Sequence, residues 1–406
     1  MSKLIITKKD QAILTALADG RKILQLGLEP LQEKAALNSI YIGKVQNVRK
    51  NINSAFIEIG GGIIGYYSLS DNPLHLFADG TWKKDLRQGD EILVQVARDA
   101  VKTKALVLTG RLSFTGKLAV LTAGKNGIGF SGKISSRAFK SSVRKALETV
   151  DLEGFGLIVR TNAEAAGEEE LLAEIRSLKA EYAQVIRSAP YRSCCSLLYQ
   201  GPAAFLAGVR DAYSSQLEEI ITDDPDLYQA LSAYLKKEQP KDQEKLRFYQ
   251  DPLLPLRSLY SLDRALEEAS SKKVWLKSGG YLVIEPTEAL VVIDVNTGKY
   301  SEKKTLKETI RKINLEAADE IGRQLRLRNL SGIILIDFID MTEEEDRKDL
   351  LTYLEGVVKK DPVKTTVVEI TKLNLVELTR KKLHRPLHEQ LAALGGQKEE
   401  TKENWV

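Results

Sequence analysis

Two aspartates follow apolar runs in the last third of the chain. The run EALVVIDVN ends in Asp294 and Asn296, and the run GIILIDF contains Asp337. The residues between the runs have the periodicity of one long helix, which predicts a strand, helix, strand unit with parallel strands that end at the same edge of the sheet. Open α/β sheets bind their ligands at this edge. The pattern therefore predicts that the two carboxylates lie close together.

Carboxylates that emerge side by side from buried strands repel each other unless a cation lies between them. The nearby residues offer carboxylate and amide oxygens without His or Cys, and this donor set favours Mg2+ or Mn2+ over zinc. Such an ion can activate water and stabilise charge on a phosphate. The alternative is that each Asp only terminates its strand and pairs with Lys or Arg.

Strand alternation distinguishes the aspartates from one another. Asp294 and Asn296 are two residues apart and share a face, whereas Asp340 lies an odd number of residues from Asp337 and should point elsewhere. We therefore expect Asp337, and not Asp340, to act with Asp294.

The elements around these residues have clear sequence signals. VWLKSGGYLVIEP predicts a hairpin that turns at Ser278, Gly279 and Gly280. Thr305 and Glu308 have the spacing of a capping box at the start of the long helix. The apolar stripe of that helix consists of Leu306, Ile310, Ile313, Ala317, Ile321 and Leu325.

The first half of the chain changes from strand to helix signals. Short strands with turns from about Asn38 to Thr122 suggest a small antiparallel barrel. Helical periodicity begins near Phe139 and continues from Ala204 through Ser270, with one short strand at Gly156 to Arg160. The region after the barrel is therefore predicted to be mainly helical.

Two groups of residues are candidates for binding nucleic acid. Phe56 and Tyr66 could stack bases, with cations nearby in sequence to hold phosphates, although the core for Phe56 and a turn for Tyr66 are equally good expectations. Arg160 and Thr161 follow a short strand and could hold an anion or be structural. The cations near the two aromatic residues are Lys44, Arg49, Lys50 and Lys104.

The composition is that of a globular chain. It has 406 residues, with 60 Lys and Arg against 56 Asp and Glu, so the net charge of +4 permits a nucleic-acid partner without demanding one. The only cysteines, Cys194 and Cys195, are adjacent, which excludes a disulfide or zinc scaffold. The N-terminus lacks the apolar core of a signal peptide and no apolar run could span a bilayer. These features indicate a cytoplasmic protein.

Longer stretches resemble a known family. ALVVIDVNTGKY, NLEAADEIGRQLRLRNLSGIILIDFIDM and ITKLNLVELTRKKL closely resemble the catalytic domain of the ribonuclease E and ribonuclease G family. NSIYIGKVQNV, NSAFIEIG and GYYSL resemble its S1 barrel, and GLIVRT resembles the strand of its sensor for RNA 5′-monophosphate. The resemblance implies an α/β multidomain fold, an RNase H-like subdomain with an inserted S1 (OB) β-barrel and 5′-sensor, followed by a DNase I-like α/β catalytic subdomain. The implied domains are 1–37 (RNase H-like, first part), 38–118 (S1 barrel), 119–214 (5′-sensor), 215–272 (RNase H-like, second part), 273–394 (DNase I-like) and 395–406 (polar tail).

The resemblance also implies roles for individual residues. Tyr66 replaces the usual phenylalanine of the family, and Lys372 stands where an arginine near the catalytic site is common, so one point charge replaces a planar fork. The implied sites are Asp294 and Asp337 for the metal, Asn296 to orient the first of these, Phe56, Tyr66, Lys104 and Lys372 for RNA, and Arg160 and Thr161 for the 5′-phosphate.

The implied activity is cleavage of single-stranded RNA to 5′-phosphate and 3′-hydroxyl ends, with Mg2+ (or Mn2+), in the processing and decay of rRNA and mRNA. The rival is a non-catalytic S1-domain RNA-binding or ribosome-associated protein, which would be expected to have lost one of the three polar catalytic residues. A nucleotide-binding α/β enzyme is disfavoured because no G-x-x-x-x-G-K-[ST] loop follows a strand.

One departure from the family concerns assembly. Well-studied members carry C-P-x-C just after the catalytic subdomain and share a zinc between two chains, but ALGGQKEETKENWV has no cysteine. We expect a short, ribonuclease G-like form in which no zinc link exists and any homodimer is held by other contacts.

Overall fold

The computed structural model describes residues 2–20, 22–31, 36–98, 105–212, 217–298 and 306–394. It is a mixed α/β chain that forms two compact units. Unit 1 comprises Met1–Leu31, Glu219–Tyr228 and Arg247–Val406, and unit 2 comprises Gln32–Glu218 and Gln229–Leu246. No helix in the described ranges combines the length and the apolar character that a membrane span requires.

The chain begins with three antiparallel strands, β1 (Ser2–Lys9), β2 (Ala12–Asp19) and β3 (Lys22–Pro30). Ile5, Leu14 and Leu26 from these strands are buried in one hydrophobic core. The turn between β1 and β2 is tight, since Asp10 has a positive φ of 53°.

A closed five-stranded barrel follows. Its strands pair in the order β4, β5, β6, β10 and β9, and pairing of β4 with β9 closes the ring, so the predicted small barrel is confirmed. A short hairpin, β7 with β8, lies between β6 and β9 in sequence. The strands are β4 (Ile40–Arg49), β5 (Ser54–Glu58), β6 (Ile64–Ser68), β7 (His75–Leu76), β8 (Trp82–Lys83), β9 (Glu91–Arg98) and β10 (Leu106–Thr109).

The remainder of unit 2 packs helices on a four-stranded sheet of order β11-β12-β14-β13. The helix predicted from EEELLAEIRSLKAEYAQVIRSA exists, and it buries Leu171, Ile175 and Leu178 against that sheet. The short strand β15 instead adds to β4 of the barrel. The elements are β11 (Ser113–Thr115), β12 (Ala119–Ala123), β13 (Gly127–Phe130), α1 (Arg137–Leu147), β14 (Phe155–Val159), α2 (Ala163–Ala166), α3 (Glu168–Ser188), β15 (Leu197–Tyr199) and α4 (Ala204–Asp211).

The expectation of helices throughout Ala204 to Ser270 is wrong in part. LEEIIT forms β16 (Leu217–Thr222), and β17 (Leu246–Phe248) joins it, so that the first sheet has the order β17-β16-β1-β2-β3. This strand depends on a partner more than 200 residues away, with Lys3 bound to Glu219 at 2.7 Å, and local periodicity carries no such information. The α-helices described in this region are α4, given above, and α5 (Pro225–Glu238), α6 (Leu256–Leu259) and α7 (Leu262–Ser270).

The last sheet has six strands in the order β18-β19-β20-β21-β23-β22. Two helices cover one of its faces, and their buried residues form a single core with the alternate residues of the strands. The elements are β18 (Lys273–Trp275), β19 (Tyr281–Pro286), β20 (Leu290–Asn296), α8 (Leu306–Leu327), β21 (Gly332–Asp337), α9 (Glu344–Val358), β22 (Thr365–Ile370) and β23 (Leu375–Arg380). The hairpin and the strand, helix, strand unit are confirmed, and Thr305 of the proposed capping box lies outside the described residues.

Candidate active site

Asp294 and Asp337 are direct neighbours in the last sheet. Strands β20 and β21 are parallel, and Asp294 pairs with Asp337 at their carboxyl ends. Ile293 and Ile336, which precede the two aspartates, are fully buried against the helices. Since side chains alternate along a strand, both carboxylates project from the helix-free face of the sheet. Asp337 is exposed and Asp294 is half-buried.

Asn296 holds one of the carboxylates in place. Its Nδ2 donates a hydrogen bond of 2.6 Å to Oδ2 of Asp294, from two residues along the same face. Burial and the negative charges of Asp294 and Asp340 raise the pKa of Asp337. The site therefore consists of one carboxylate fixed by an amide beside a second whose pKa is raised by burial and by two neighbouring negative charges.

Asp340 lies in the loop that follows strand β21. Strand β21 ends at Asp337, so alternation does not extend to Asp340, and the charge of this residue raises the pKa of Asp337. Its Oδ1 accepts a hydrogen bond of 3.3 Å from Nδ2 of Asn374. Alternation along β21 therefore does not determine where the Asp340 side chain points.

Lys372 lies in the turn between β22 and β23. Leu375, the first residue of β23, pairs with Asp337, so this turn adjoins the carboxyl end of β21. Lys372 is exposed, and the hydroxyl of Thr371 orders the turn by accepting from the amides of Leu373 and Leu375. The topology therefore brings Lys372 to the edge that carries the aspartates.

Two residues of α8 that were not predicted from the sequence support the site. Fully buried Asn314 donates to the Ile339 carbonyl oxygen at 2.8 Å and accepts from the Ile339 amide at 3.1 Å, which fixes the loop after Asp337. Glu316 accepts from the amide of Lys277 at 2.6 Å in the β18–β19 turn. The sequence signal that could have identified Asn314 is its position directly after Ile313 of the buried stripe, where a polar residue is unexpected.

The same turn packs tightly on the strand that carries Asn296. A Cβ atom on Gly280 would lie 2.8 Å from the carbonyl oxygen of Asn296. Gly298 has a φ of 63°, and a Cβ there would overlap the carbonyl oxygen of Gly279. The glycines of SGG and NTG are thus needed where two backbones meet beside the site.

The donor set fits Mg2+. Within the described residues no group of three or more His, Cys, Asp or Glu side chains is arranged to hold a metal ion. Mg2+ keeps several waters and binds through one or two carboxylates, which Asp294 and Asp337 offer. Two adjacent carboxylates with a raised pKa on one of them are also what a cation would stabilise.

Phe56 and Tyr66 lie on the outside of the barrel. They are direct cross-strand partners on β5 and β6, and their ring centroids are 6.2 Å apart. Both are half-buried, whereas Ile57 and Tyr67 next to them are fully buried, so the alternative of a core position for Phe56 is wrong. The guanidinium of Arg49 lies 5.6 Å from the Phe56 ring centroid. Lys104 lies outside the described residues.

Arg160 and Thr161 directly follow strand β14. Arg160 donates to the Gly116 carbonyl oxygen at 2.7 Å and to Oδ1 of Asp211 at 2.8 Å. Burial alone would raise the pKa of Asp211, but Arg160 and Arg210 lower it overall. The hydroxyl of Thr161 bonds that of Ser131 at 3.1 Å. The anion that binds the Arg160 guanidinium in this structure is thus a carboxylate of the chain itself.

The chain is similar to known proteins over most of its length. A model described as the Ribonuclease E/G family matches residues 113–383. The chain is 32% identical to ribonuclease G of Escherichia coli over 400 residues, which cover 96% of this chain and 82% of the relative. It is 32% identical to ribonuclease G of Haemophilus influenzae over 386 residues, 93% of this chain and 78% of the relative. It is 34% identical to ribonuclease E of Synechocystis over 364 residues, 87% of this chain and 53% of the relative.

The family match covers more than half of the chain and includes the strands that carry all three polar residues of the site. The similarity to the relatives extends further, over nearly the whole sequence. The chain therefore belongs to the Ribonuclease E/G family.

Proposed function

We propose that this protein is a Mg2+-dependent endoribonuclease that cleaves single-stranded RNA and leaves 5′-phosphate and 3′-hydroxyl ends. The ribonuclease G and E relatives indicate an endoribonuclease of RNA processing. The observation that supports metal-dependent cleavage is the pairing of Asp294 with Asp337 on the helix-free face of the last sheet.

Each residue of the site has a defined task in this proposal. Asn296 keeps the Asp294 carboxylate in one orientation through its 2.6 Å hydrogen bond. Asp337 is exposed, so its oxygens are open to a cation from solvent. A Mg2+ ion bound by the two carboxylates would supply an activated water and offset charge on the phosphate. The exposed ammonium of Lys372 would contact a phosphate at the same edge as a point charge.

The outside of the barrel is the proposed surface for the single strand. Phe56 and Tyr66 present ring edges and faces to solvent, and Arg49 lies against one of them. Small barrels bind single strands by stacking bases on such residues, with cations along the backbone. The exposed Lys44 and Lys50 add charge to this region of the barrel.

Arg160 and Thr161 are the proposed binding groups for an RNA 5′-monophosphate. A phosphate could replace the Asp211 carboxylate on the Arg160 guanidinium, because both anions accept the same charge-assisted hydrogen bonds. Asp211 would keep Arg210 as its partner, at 3.0 Å. Binding of the phosphate therefore need not leave a carboxylate unpaired.

Cleavage of a labelled single-stranded RNA, with Mg2+ and with EDTA, tests the proposal. Asp294→Asn and Asp337→Asn should each lower the rate at least 100-fold, since each removes a charged metal ligand, while RNA affinity stays within a few-fold. Asp340→Asn is the matched control, because it removes a nearby carboxylate that is bound to Asn374 and is not a proposed metal ligand, so it should retain most of the activity. A near wild-type rate for either of the first two variants, or full activity in EDTA, contradicts the proposed metal site.

A further inference from the structure

An aromatic pair lies exposed on the hairpin that precedes strand β20. The Trp275 side chain is 64% exposed, and its ring centroid is 5.3 Å from that of Tyr281 in an edge-to-face arrangement. An exposed aromatic ring offers a face on which a base can stack. We call Trp275, Tyr281 and Lys273 the aromatic platform.

The platform lies on the same face of the sheet as the carboxylates. Trp275 pairs with Tyr281, and Tyr281 pairs with Asn296. Directly paired residues project from the same face, so these three side chains form one row across neighbouring strands. With strands about 4.8 Å apart, Trp275 lies roughly 10 Å from Asn296 along this row.

The adjacent row contains the two proposed metal ligands. Lys273 pairs with Val283, Val283 with Asp294, and Asp294 with Asp337. The helices α8 and α9 cover the opposite face, where Leu282 and Val295 are buried. If an RNA strand binds with one phosphate at Asp294, the neighbouring nucleotide is therefore close enough to contact the platform.

The charge of the platform suits a polyanion. The Lys273 ammonium lies 4.1 Å from the Trp275 ring centroid and 3.6 Å from that of Tyr281. Of the carboxylates in the described part of the chain, none forms an ion pair with Lys273, whereas neighbouring Lys272 binds Glu285 at 3.0 Å. The ammonium thus remains available for a phosphate beside the exposed ring.

From this geometry we propose that the aromatic platform is a nucleobase subsite of the active site. A base adjacent to the cleaved phosphate stacks on Trp275, Lys273 contacts the backbone, and the stacking sets which phosphate reaches Asp294 and Asp337. Every base has an aromatic face, so the subsite selects unpaired nucleotides without demanding one base. This inference rests on the proposed function and specifies how the substrate is positioned.

Binding can be tested without cleavage. The chain has three tryptophans, and Trp82→Phe with Trp405→Phe leaves only Trp275 as a fluorophore. In EDTA, a single-stranded oligonucleotide should quench this emission in a saturable manner, and a duplex of the same sequence should quench it far less. Emission that does not change at saturating RNA overturns the proposal.

Kinetics locate the base. Trp275→Ala should raise KM about tenfold, the loss expected for one stacked base, and Trp275→Phe should restore most of it. Ile333→Ala is the control, since Ile333 is 52% exposed on the same face but at the opposite end of β21, and its KM should stay unchanged.

RNAs that lack a single base complete the test. The wild type should lose affinity when the base beside the cleaved phosphate is absent, and Trp275→Ala should show no further loss at that position. Equal losses in both proteins overturn the subsite, while the cleavage activity itself would stand. Quenching by RNA in a protein that does not cleave it would support the subsite and refute the proposed function.

Discussion

At the active site, Asp337 lies beside the negative charges of Asp294 and Asp340. A carboxyl whose pKa is raised by folding costs stability when it is ionised, so the cost is present above the folded pKa and disappears as the pH falls below the ordinary value of 3.8. In EDTA at pH 7, Asp337→Asn should therefore raise the free energy of unfolding, by on the order of 0.5 kcal/mol because Asp337 is exposed and solvent screens the repulsion.

Thermal unfolding in EDTA at pH 7 and below pH 4 measures this effect, and the gain should be present only at the higher pH. Addition of Mg2+ serves as the control. It should raise the Tm of the wild type and leave that of Asp337→Asn unchanged, because only the wild type retains both ligands. If Mg2+ does not change the Tm of the wild type, this pair of carboxylates does not bind the metal.

Single substitutions of Arg160 test the proposed 5′-monophosphate site. Arg160→Ala should slow the cleavage of 5′-monophosphorylated RNA and spare 5′-hydroxyl RNA, because the guanidinium acts only on the terminal phosphate. The fold should tolerate the change, since Asp211 keeps its pair with Arg210.

Arg160→Lys should give an intermediate rate on the monophosphorylated RNA, because it retains the charge and loses the planar fork. Steady-state cleavage rates on the two RNAs, together with the Tm of each variant, show whether Arg160 acts on the terminal phosphate. Equal losses on both substrates would mean that Arg160 has a general structural role.

Among the secondary-structure elements, the β18–β19 turn and the end of β20 support each other. Gly298→Ala should lower both the Tm and the cleavage rate, because its Cβ would overlap the backbone of Gly279 and displace the strand end that carries Asn296. Overpacking of this kind typically costs about 1–3 kcal/mol, on top of roughly 1 kcal/mol for the left-handed backbone.

Gly61→Ala is the matched control for this prediction. Gly61 has a φ of 61°, nearly that of Gly298, but open space where the Cβ would lie. It should show only the backbone cost and an unchanged rate per folded molecule. If both variants behave alike in thermal denaturation and cleavage, the close approach of the two backbones has no functional weight.

For the whole molecule, the open question is assembly. Burial and the neighbouring thiol of Cys195 raise the pKa of Cys194, which makes this pair a poor source of thiolate ligands at neutral pH. Two adjacent cysteines also cannot readily supply two corners of one tetrahedron. We expect that the mass of the protein in solution stays the same when zinc is chelated.

Light scattering before and after treatment with a zinc chelator measures that mass, and Cys194→Ser with Cys195→Ser is the parallel variant. Any oligomer should persist in all samples because side-chain packing holds it. A fall from dimer to monomer with release of stoichiometric zinc would refute this expectation.

Short-range periodicity in the sequence predicted that the polar residues of the candidate site lie together. Alternation and the ends of two apolar runs predicted that Asp294, Asn296 and Asp337 converge, and the structure has Asp294 paired with Asp337. The barrel, the hairpin and the helix α8 could be predicted for the same reason, since each is encoded by patterns that repeat within a few residues.

Other features could not be predicted from the sequence because they depend on partners that are distant along the chain. β16 is a strand because β1 lies beside it, and Asn314 is buried because it binds the loop before Asp340. Such pairings join residues far apart in sequence, and no local pattern encodes them because their free energy arises only when the partner arrives.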